Sequence, residues 1–229
     1  GFPLDLFSSE LLELLNTTTD GNIAKLSAQC VFSLLEAQSR STSSLMKYQV
    51  LTILASHLLN CKWFEASEYC LKALHVISKY RANDISFKIG IEPFLKMFDH
   101  FTIISQRDAI DATETITKSV LPTPSMVNHL DQLIKIAENT DQKIQSSALK
   151  TVNNIASQLL PESIPTAITH KLAARPKFYL QSLLNLSTNK EHIAAILKSG
   201  INFQNLLDSI KNTEMQTTIF KIILNLLPF

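Results

Sequence analysis

The feature that most constrains this chain is a period of about 37 residues. Similar apolar helix starts fall at Ile91, Val127, Ile164 and Ile201, which are separated by 36, 37 and 37 residues. A single helix pair cannot cover its own apolar stripe, so a repeat of this length indicates units that stack and cover one another. The period therefore predicts an elongated all-α array before any individual residue is considered.

Each period contains two apolar-striped segments joined by a short polar turn. The clearest copy starts at Met126, with "MVNHLDQLIKIA", the turn "ENTDQK" and then "IQSSALKTVNNIASQLL". Apolar residues recur in it at the spacing of one helix face. Other turns are predicted at "CKWF", "ISQRD", "ARPK" and "KNTE". Weaker copies reach the N-terminus, so we predict one domain of about six repeats, approximately 1–48, 49–88, 89–125, 126–162, 163–199 and 200–229. The start without methionine suggests a piece of a larger protein.

Composition excludes several classes of function. The 229 residues include only four glycines, which excludes glycine-rich phosphate loops, and 45% are hydrophobic, which is enough for a core. The net charge of +1 gives no overall attraction to nucleic acid, and no apolar run has membrane-spanning length. Cys30, Cys61 and Cys70 match no zinc or disulfide pattern. We expect buried free thiols in a reducing compartment, the cytoplasm or nucleus.

Catalytic signatures are absent from the sequence. The six histidines are scattered among apolar helical positions, without a metal-binding pair, and no nucleophile elbow occurs. The expectation is a protein that is not an enzyme, with no cofactor, no metal and no small-molecule substrate.

One boundary between repeats is especially clear. In "NLSTNKEHIAAILKSG", from Asn185 to Gly200, a polar turn is followed by a short helix and then a single glycine. Glycine commonly ends a helix in the left-handed conformation, so Gly200 is predicted to be such a cap.

These segments resemble the armadillo repeat family and, more loosely, its HEAT relatives. The likeness lies in the long helix ending Asn-Ile-Ala in the repeat from Met126, and in the Asn-Leu-Ser end, short helix and glycine at Asn185 to Gly200. It implies a right-handed α-solenoid that binds a partner protein. In that family the long third helices line a concave groove, and an asparagine ladder bonds the main chain of an extended partner.

The resemblance also implies where a partner would bind. It places Asn154, Asn185 and Asn225 in the groove, with Lys118 near the equivalent position one repeat earlier. Peptide-binding armadillo proteins carry tryptophans beside these asparagines, whereas this chain has Lys150, Gln181 and Lys221. Lysines there favour an acidic, extended peptide through charge-assisted hydrogen bonds. An equally open interpretation is that the asparagines only tie neighbouring helices together.

Two other modes of binding remain open. The turns carry basic or aromatic residues that would align along one edge, which resembles tubulin-binding TOG domains: Lys62, Trp63, Arg107, Lys143, Arg175, Lys177 and Lys211. The apolar ending "IFKIILNLLPF" could instead pair two copies of the chain as a homodimer.

Two polar breaks could be plain loops or phosphorylation sites. These are "SRSTSS", Ser39 to Ser44, and the "LPTPS" segment with Thr123 followed by Pro124.

Overall fold

The computed structural model describes residues 4–37 and 49–228, so the predicted loop at 39–44 lies outside the described residues. The chain divides into two compact units, with residues 1–120 in unit 1 and residues 121–229 in unit 2. No strand occurs in the described ranges, which confirms the prediction of an all-α fold. None of the helices in those ranges is long and apolar enough to cross a membrane.

Six helices lie in the described part of unit 1, residues 4–37 and 49–120. They are α1 (Leu4–Thr17), α2 (Gly21–Ala37), α3 (Val50–Asn60), α4 (Phe64–Lys88), α5 (Glu92–Leu95) and α6 (Ile103–Ser119). A 3₁₀ turn, Phe98–His100, links the last two. Helix α4 packs between α2 and α6, and it buries Leu71, Leu74 and Ile77 completely.

Residues 121–228, the described part of unit 2, form seven helices. They are α7 (Leu130–Ile136), α8 (Gln142–Ala156), α9 (Thr166–Ala173), α10 (Leu180–Leu186), α11 (Lys190–Lys198), α12 (Phe203–Ser209) and α13 (Thr213–Leu226). Three 3₁₀ turns precede α7, α9 and α10, at Pro124–His129, Pro161–Ser163 and Pro176–Phe178. Proline suits these starts because its missing N–H would have no helical partner there.

Several helices of unit 2 begin at polar caps. In unit 2 the side chains of Asp141, Asn202 and Asn212 accept hydrogen bonds from the free N–H groups of the first turns of α8, α12 and α13. Because each cap fixes where its helix begins, the turns before these helices lie near the positions predicted from the sequence. Helix α8 begins at Gln142, which moves Lys143 from the predicted turn into the first helical turn.

The predicted turn "ISQRD", residues 104–108, is wrong. Helix α6 already begins at Ile103, because Thr102 caps it by accepting a hydrogen bond from the Ser105 N–H. The Thr102 hydroxyl also donates to Glu68 of α4, at 2.6 Å. Arg107 is therefore a helical residue in α6 and not a turn residue.

The clear boundary at Asn185 to Gly200 is as predicted. The short helix α11 spans Lys190–Lys198, and Gly200 follows it with a φ of 70°. A side chain at this angle would cost roughly 1–2 kcal/mol, which explains the glycine.

The single tryptophan packs against residues of α2 and α3. Trp63 lies in the turn before α4, half-buried, with its ring stacked on His57 at 6.1 Å between ring centroids. His57 Nε2 donates to the Leu15 carbonyl of α1, at 2.9 Å. A Cβ at Gly21 would stand 2.7 Å from Trp63 Cδ1, so only glycine lets α2 approach the ring this closely.

We predict that Gly21→Ala displaces the Trp63 ring and destabilises unit 1. The added methyl must push the ring aside, which costs about 1–3 kcal/mol. Urea unfolding followed by the fluorescence of the single tryptophan checks this, with Gln181→Ala in unit 2 as the control. An unchanged emission maximum and unfolding midpoint would contradict this packing.

Candidate functional site

Three third helices of unit 2 lie side by side: α8, α10 and α13. Asn185, near the end of α10, donates both amide hydrogens to carbonyl groups, one at the end of α8 and one three residues beyond it. Its Nδ2 lies 2.9 Å from the Ala156 oxygen and 2.8 Å from the Leu159 oxygen. These bonds satisfy carbonyls that have no partner at a helix C-terminus. Only Oδ1 of Asn185 is left to accept a hydrogen bond from a partner.

The same arrangement recurs one repeat later. Asn225 of α13 donates to the Ser187 hydroxyl, which directly follows α10, over 2.9 Å. In α8 it is Asn153, the neighbour of the predicted Asn154, that bonds the next repeat in this way. Its amide nitrogen donates to the Phe178 carbonyl, and its amide oxygen accepts from the Ser182 hydroxyl. Asn154 is half-buried beside it. The structure therefore shows helix-tying roles for two predicted ladder asparagines and for Asn153, which the sequence interpretation missed.

The predicted groove lysines are on the surface. Lys150 and Lys221 are exposed one helical turn before Asn154 and Asn225, and Gln181 stands in the same relation to Asn185. Helix α8 carries two lysines and no acidic residue, and the acidic residue of α13, Glu214, lies in its first turn. The exposed face of these three helices is therefore locally basic.

Lys118 in unit 1 has a different electrostatic setting. It is exposed in the last turn of α6, a helix that also carries Asp108, Asp111 and Glu114. Unlike the lysines of unit 2, Lys118 belongs to a helix with an acidic excess.

The predicted turn edge is only partly a row of exposed turn residues. Lys62, Lys177 and Lys211 are exposed in turns, and Arg175 is exposed beside Glu138 at 3.2 Å. Trp63 is packed, as described above, with the Lys62 ammonium 4.3 Å above its ring. Arg107, as shown above, is helical.

The apolar ending predicted to pair two copies has exposed large side chains. Phe220, Leu224 and Leu227 of the last repeat are 55%, 63% and 71% exposed. The spacing of Phe220 and Leu224 puts them on one side of α13, and Leu227 directly follows the helix. Self-association through this face stays a prediction.

Comparison with known proteins places this geometry in a structural class. No family model and no curated protein matches the chain. Solved structures do match over nearly its whole length. A structure of computationally designed armadillo repeat proteins for modular peptide recognition has a TM-score of 0.68 at 16% identity, over 95% of this chain and 98% of that one.

Two further solved structures are similar to this chain to about the same degree. A designed armadillo repeat protein in complex with the peptide (KR)4 has a TM-score of 0.64 at 16% identity, over 95% and 98% of the two chains. An engineered protein reaches 0.68 at 20% identity, over 96% of each chain. The chain has an armadillo-like repeat fold. The prediction of armadillo-like repeats is thus confirmed, and at these identities the likeness concerns the fold alone.

A charged cluster that the sequence interpretation missed joins two armadillo-like repeats of unit 1. His75 of α4 places Nδ1 3.2 Å from an Asp108 oxygen and Nε2 2.7 Å from an Asp111 oxygen, both on α6. Burial acts to lower the pKa of His75, but the bonds to the two carboxylates outweigh burial and raise it. Asp111 follows His75 by 36 residues, one repeat period, and this spacing was the available signal.

The thiols differ from the sequence expectation. Cys70 is buried and its pKa is raised by burial, which keeps the thiol protonated and unreactive. Cys61 is half-buried, while Cys30 is exposed, so the prediction of a buried thiol is wrong for Cys30. The reason is that Cys30 lies on the outer side of α2, beside the buried Ala28 and Val31.

A polar cleft of about 340 Å³ lies beside a break in α4 at Arg81, where φ is −137°. Its Ser78 and Ser119 hydroxyls donate to the backbone carbonyls of His75 and Thr115. Neither bond pairs a serine with a base, as nucleophilic catalysis needs. Among the residues that the structure describes, no three His, Cys, Asp or Glu side chains are grouped to bind a metal.

We predict that Asn185→Ala lowers the free energy of unfolding by about 1–2 kcal/mol. The change leaves the Ala156 and Leu159 carbonyls without their donor. Urea unfolding measures the effect, and Gln181→Ala, an exposed residue of the same helix, is the matched control. Equal stability of the two variants would contradict the tying role.

We predict that His75 stabilises unit 1 most at mildly acidic pH. A pKa raised above 6.5 in the folded state means that the contribution is complete below pH 6.5 and is lost as pH rises through the folded value. The partner carboxylates must stay ionised, so the contribution is largest from about pH 5 to 6.5.

The measurement is the difference in unfolding free energy between the original chain and His75→Gln, taken from pH 5 to 9. That difference should shrink as pH rises. His170→Gln, at an exposed histidine, is the control. A difference that stays constant or grows with pH would refute the assignment.

Proposed function

We propose that this protein is a non-enzymatic scaffold that binds an extended, acidic segment of another protein. The observation that carries the proposal is the basic exposed face of α8, α10 and α13, where Lys150 and Lys221 stand one turn before Asn154 and Asn225. Designed proteins of the same fold were made for modular peptide recognition, and one was solved with a peptide. These relatives support peptide binding as a use of the fold.

The charge of the peptide is inferred from this chain alone. The designed relative binds a basic Lys-Arg peptide. Here lysines occupy the exposed face, and an ammonium group attracts carboxylates and repels basic side chains. Acidic side chains spaced along an extended segment would meet Lys150 and Lys221. Lys118, in unit 1, stays a separate prediction from the sequence.

Contacts to the peptide backbone would come from amides that are not wholly committed to the fold. Gln181 is exposed and offers both a donor and an acceptor to a peptide unit. Asn185 would contribute only its Oδ1, because its hydrogens already bond α8. Asn154 and Asn225 would line the same face. In this proposal the lysines supply most of the affinity and the asparagines mainly keep the face in register.

We predict that the chain binds an acidic peptide, (DE)4, and that Lys150→Glu with Lys221→Glu weakens binding at least about tenfold. Each charge reversal turns an attraction into a repulsion, together worth more than about 1.4 kcal/mol. Isothermal titration calorimetry with (DE)4 and with (KR)4 measures this, and circular dichroism verifies folding.

Lys198→Glu with Lys211→Glu is the matched control, since both lysines are exposed on other surfaces of unit 2. Tighter binding of (KR)4 than of (DE)4 would reject the proposal. So would a loss of (DE)4 binding in the control pair alone, which would assign the interaction to the turn edge that includes Lys211.

A further inference from the structure

The first residues of unit 2 include a distinctive dipeptide. The sequence has eight prolines, yet Thr123–Pro124 is its only Ser-Pro or Thr-Pro pair. Unit 1 ends at Val120 and unit 2 begins at Leu121. The pair thus begins at the third residue of unit 2, outside the packed stripes of the helices.

The geometry of this segment makes the Thr123 side chain accessible. Residues 121–123 belong to no helix, Leu121 is 81% exposed, and Thr123 is itself exposed. The Thr123 hydroxyl bonds the Ser125 hydroxyl at 2.8 Å, also at the surface. An enzyme can therefore reach this oxygen without local unfolding of the core.

The backbone of Thr123 already has an extended conformation. Its φ is −92° and its ψ is 153°, and proline at the next position disfavours helix for the residue before it. An enzyme that binds its substrate as a short extended strand followed by proline could bind this segment with little rearrangement of the backbone. The ordering cost of binding is correspondingly low.

We propose that Thr123 is a phosphorylation site for a proline-directed serine/threonine protein kinase. In the reaction the Thr123 Oγ1 attacks the γ-phosphorus of ATP, the bond to the β-phosphate oxygen breaks, ADP leaves and the hydroxyl proton passes to the kinase base. The product carries a charge of about −1.5 to −2 at pH 7 on a chain whose net charge is +1.

The added charge has a consequence that rests on the proposed function. Lys118, a groove lysine predicted from the sequence, precedes Thr123 by only five residues. A phosphate on Thr123 adds negative charge to the chain and repels an acidic peptide, and salt screens the repulsion beyond about 8–10 Å. Phosphorylation is expected to weaken (DE)4 binding by about twofold at low ionic strength, with the difference vanishing in high salt.

The test is phosphorylation of the folded 229-residue chain by a purified proline-directed kinase with labelled ATP. Label should approach one phosphate per chain, persist in Thr123→Ser and fall to background in Thr123→Ala and Pro124→Ala. Thr140→Ala, at an exposed threonine without a following proline, is the control and should label normally. Circular dichroism verifies that each variant is folded.

Two results would overturn the site: full labelling of Thr123→Ala, or no labelling of the folded chain while a peptide of residues 118–128 is labelled. Titration of the labelled chain with (DE)4 tests the consequence, and unchanged affinity at low salt overturns it. Failure of the unlabelled chain to bind (DE)4 would reject the proposed function and leave the labelling result intact.

Discussion

The stacking of each repeat on the next is the interaction on which each unit depends. A helix pair leaves an apolar stripe uncovered, and only the neighbouring repeat can remove that stripe from water. Polar bonds accompany this burial at about one period of separation. In unit 1 His57 bonds the Leu15 carbonyl, 42 residues away, and in unit 2 Asn225 bonds Ser187, 38 residues away. Burial supplies the free energy, and these directional bonds select the register.

This constraint decides which side chains bond the neighbouring repeat and which lie at the surface. The third helices must use some of their polar groups to reach the preceding repeat, as Asn185 does with both its amide hydrogens. Groups one turn earlier, such as Lys150 and Lys221, remain on the surface. Bonds between neighbouring repeats and exposed side chains therefore occupy alternate turns of the same helices. A residue type associated with peptide binding in related folds can thus be committed to structure here.

Local chemistry explains where sequence interpretation succeeded. The glycine at position 200 has the positive φ that a left-handed helix end requires, and the short helix before it is present. Sequence interpretation failed where a residue distant in the chain determines the local structure. Helix α6 starts at Ile103 because its capping residue, Thr102, is hydrogen-bonded to Glu68, 34 residues earlier. Arg107 is therefore helical, although a turn was predicted there. The His75 cluster was missed for the same reason, because its acidic partners lie one repeat further along the chain.

The sequence by itself determined the repeat and the helical class, because apolar spacing, scarce glycine and turn residues are local properties that recur with one period. The basic character of α8 could also be predicted from its residues. Only the tertiary structure decided that Asn153 and Asn185 bond neighbouring helices, that Trp63 packs against Gly21 and that Cys30 is exposed. The physical reason is that hydrogen bonds and burial depend on which residues of the next repeat come within a few ångströms. A period predicts that two helices meet, but not which of their atoms touch.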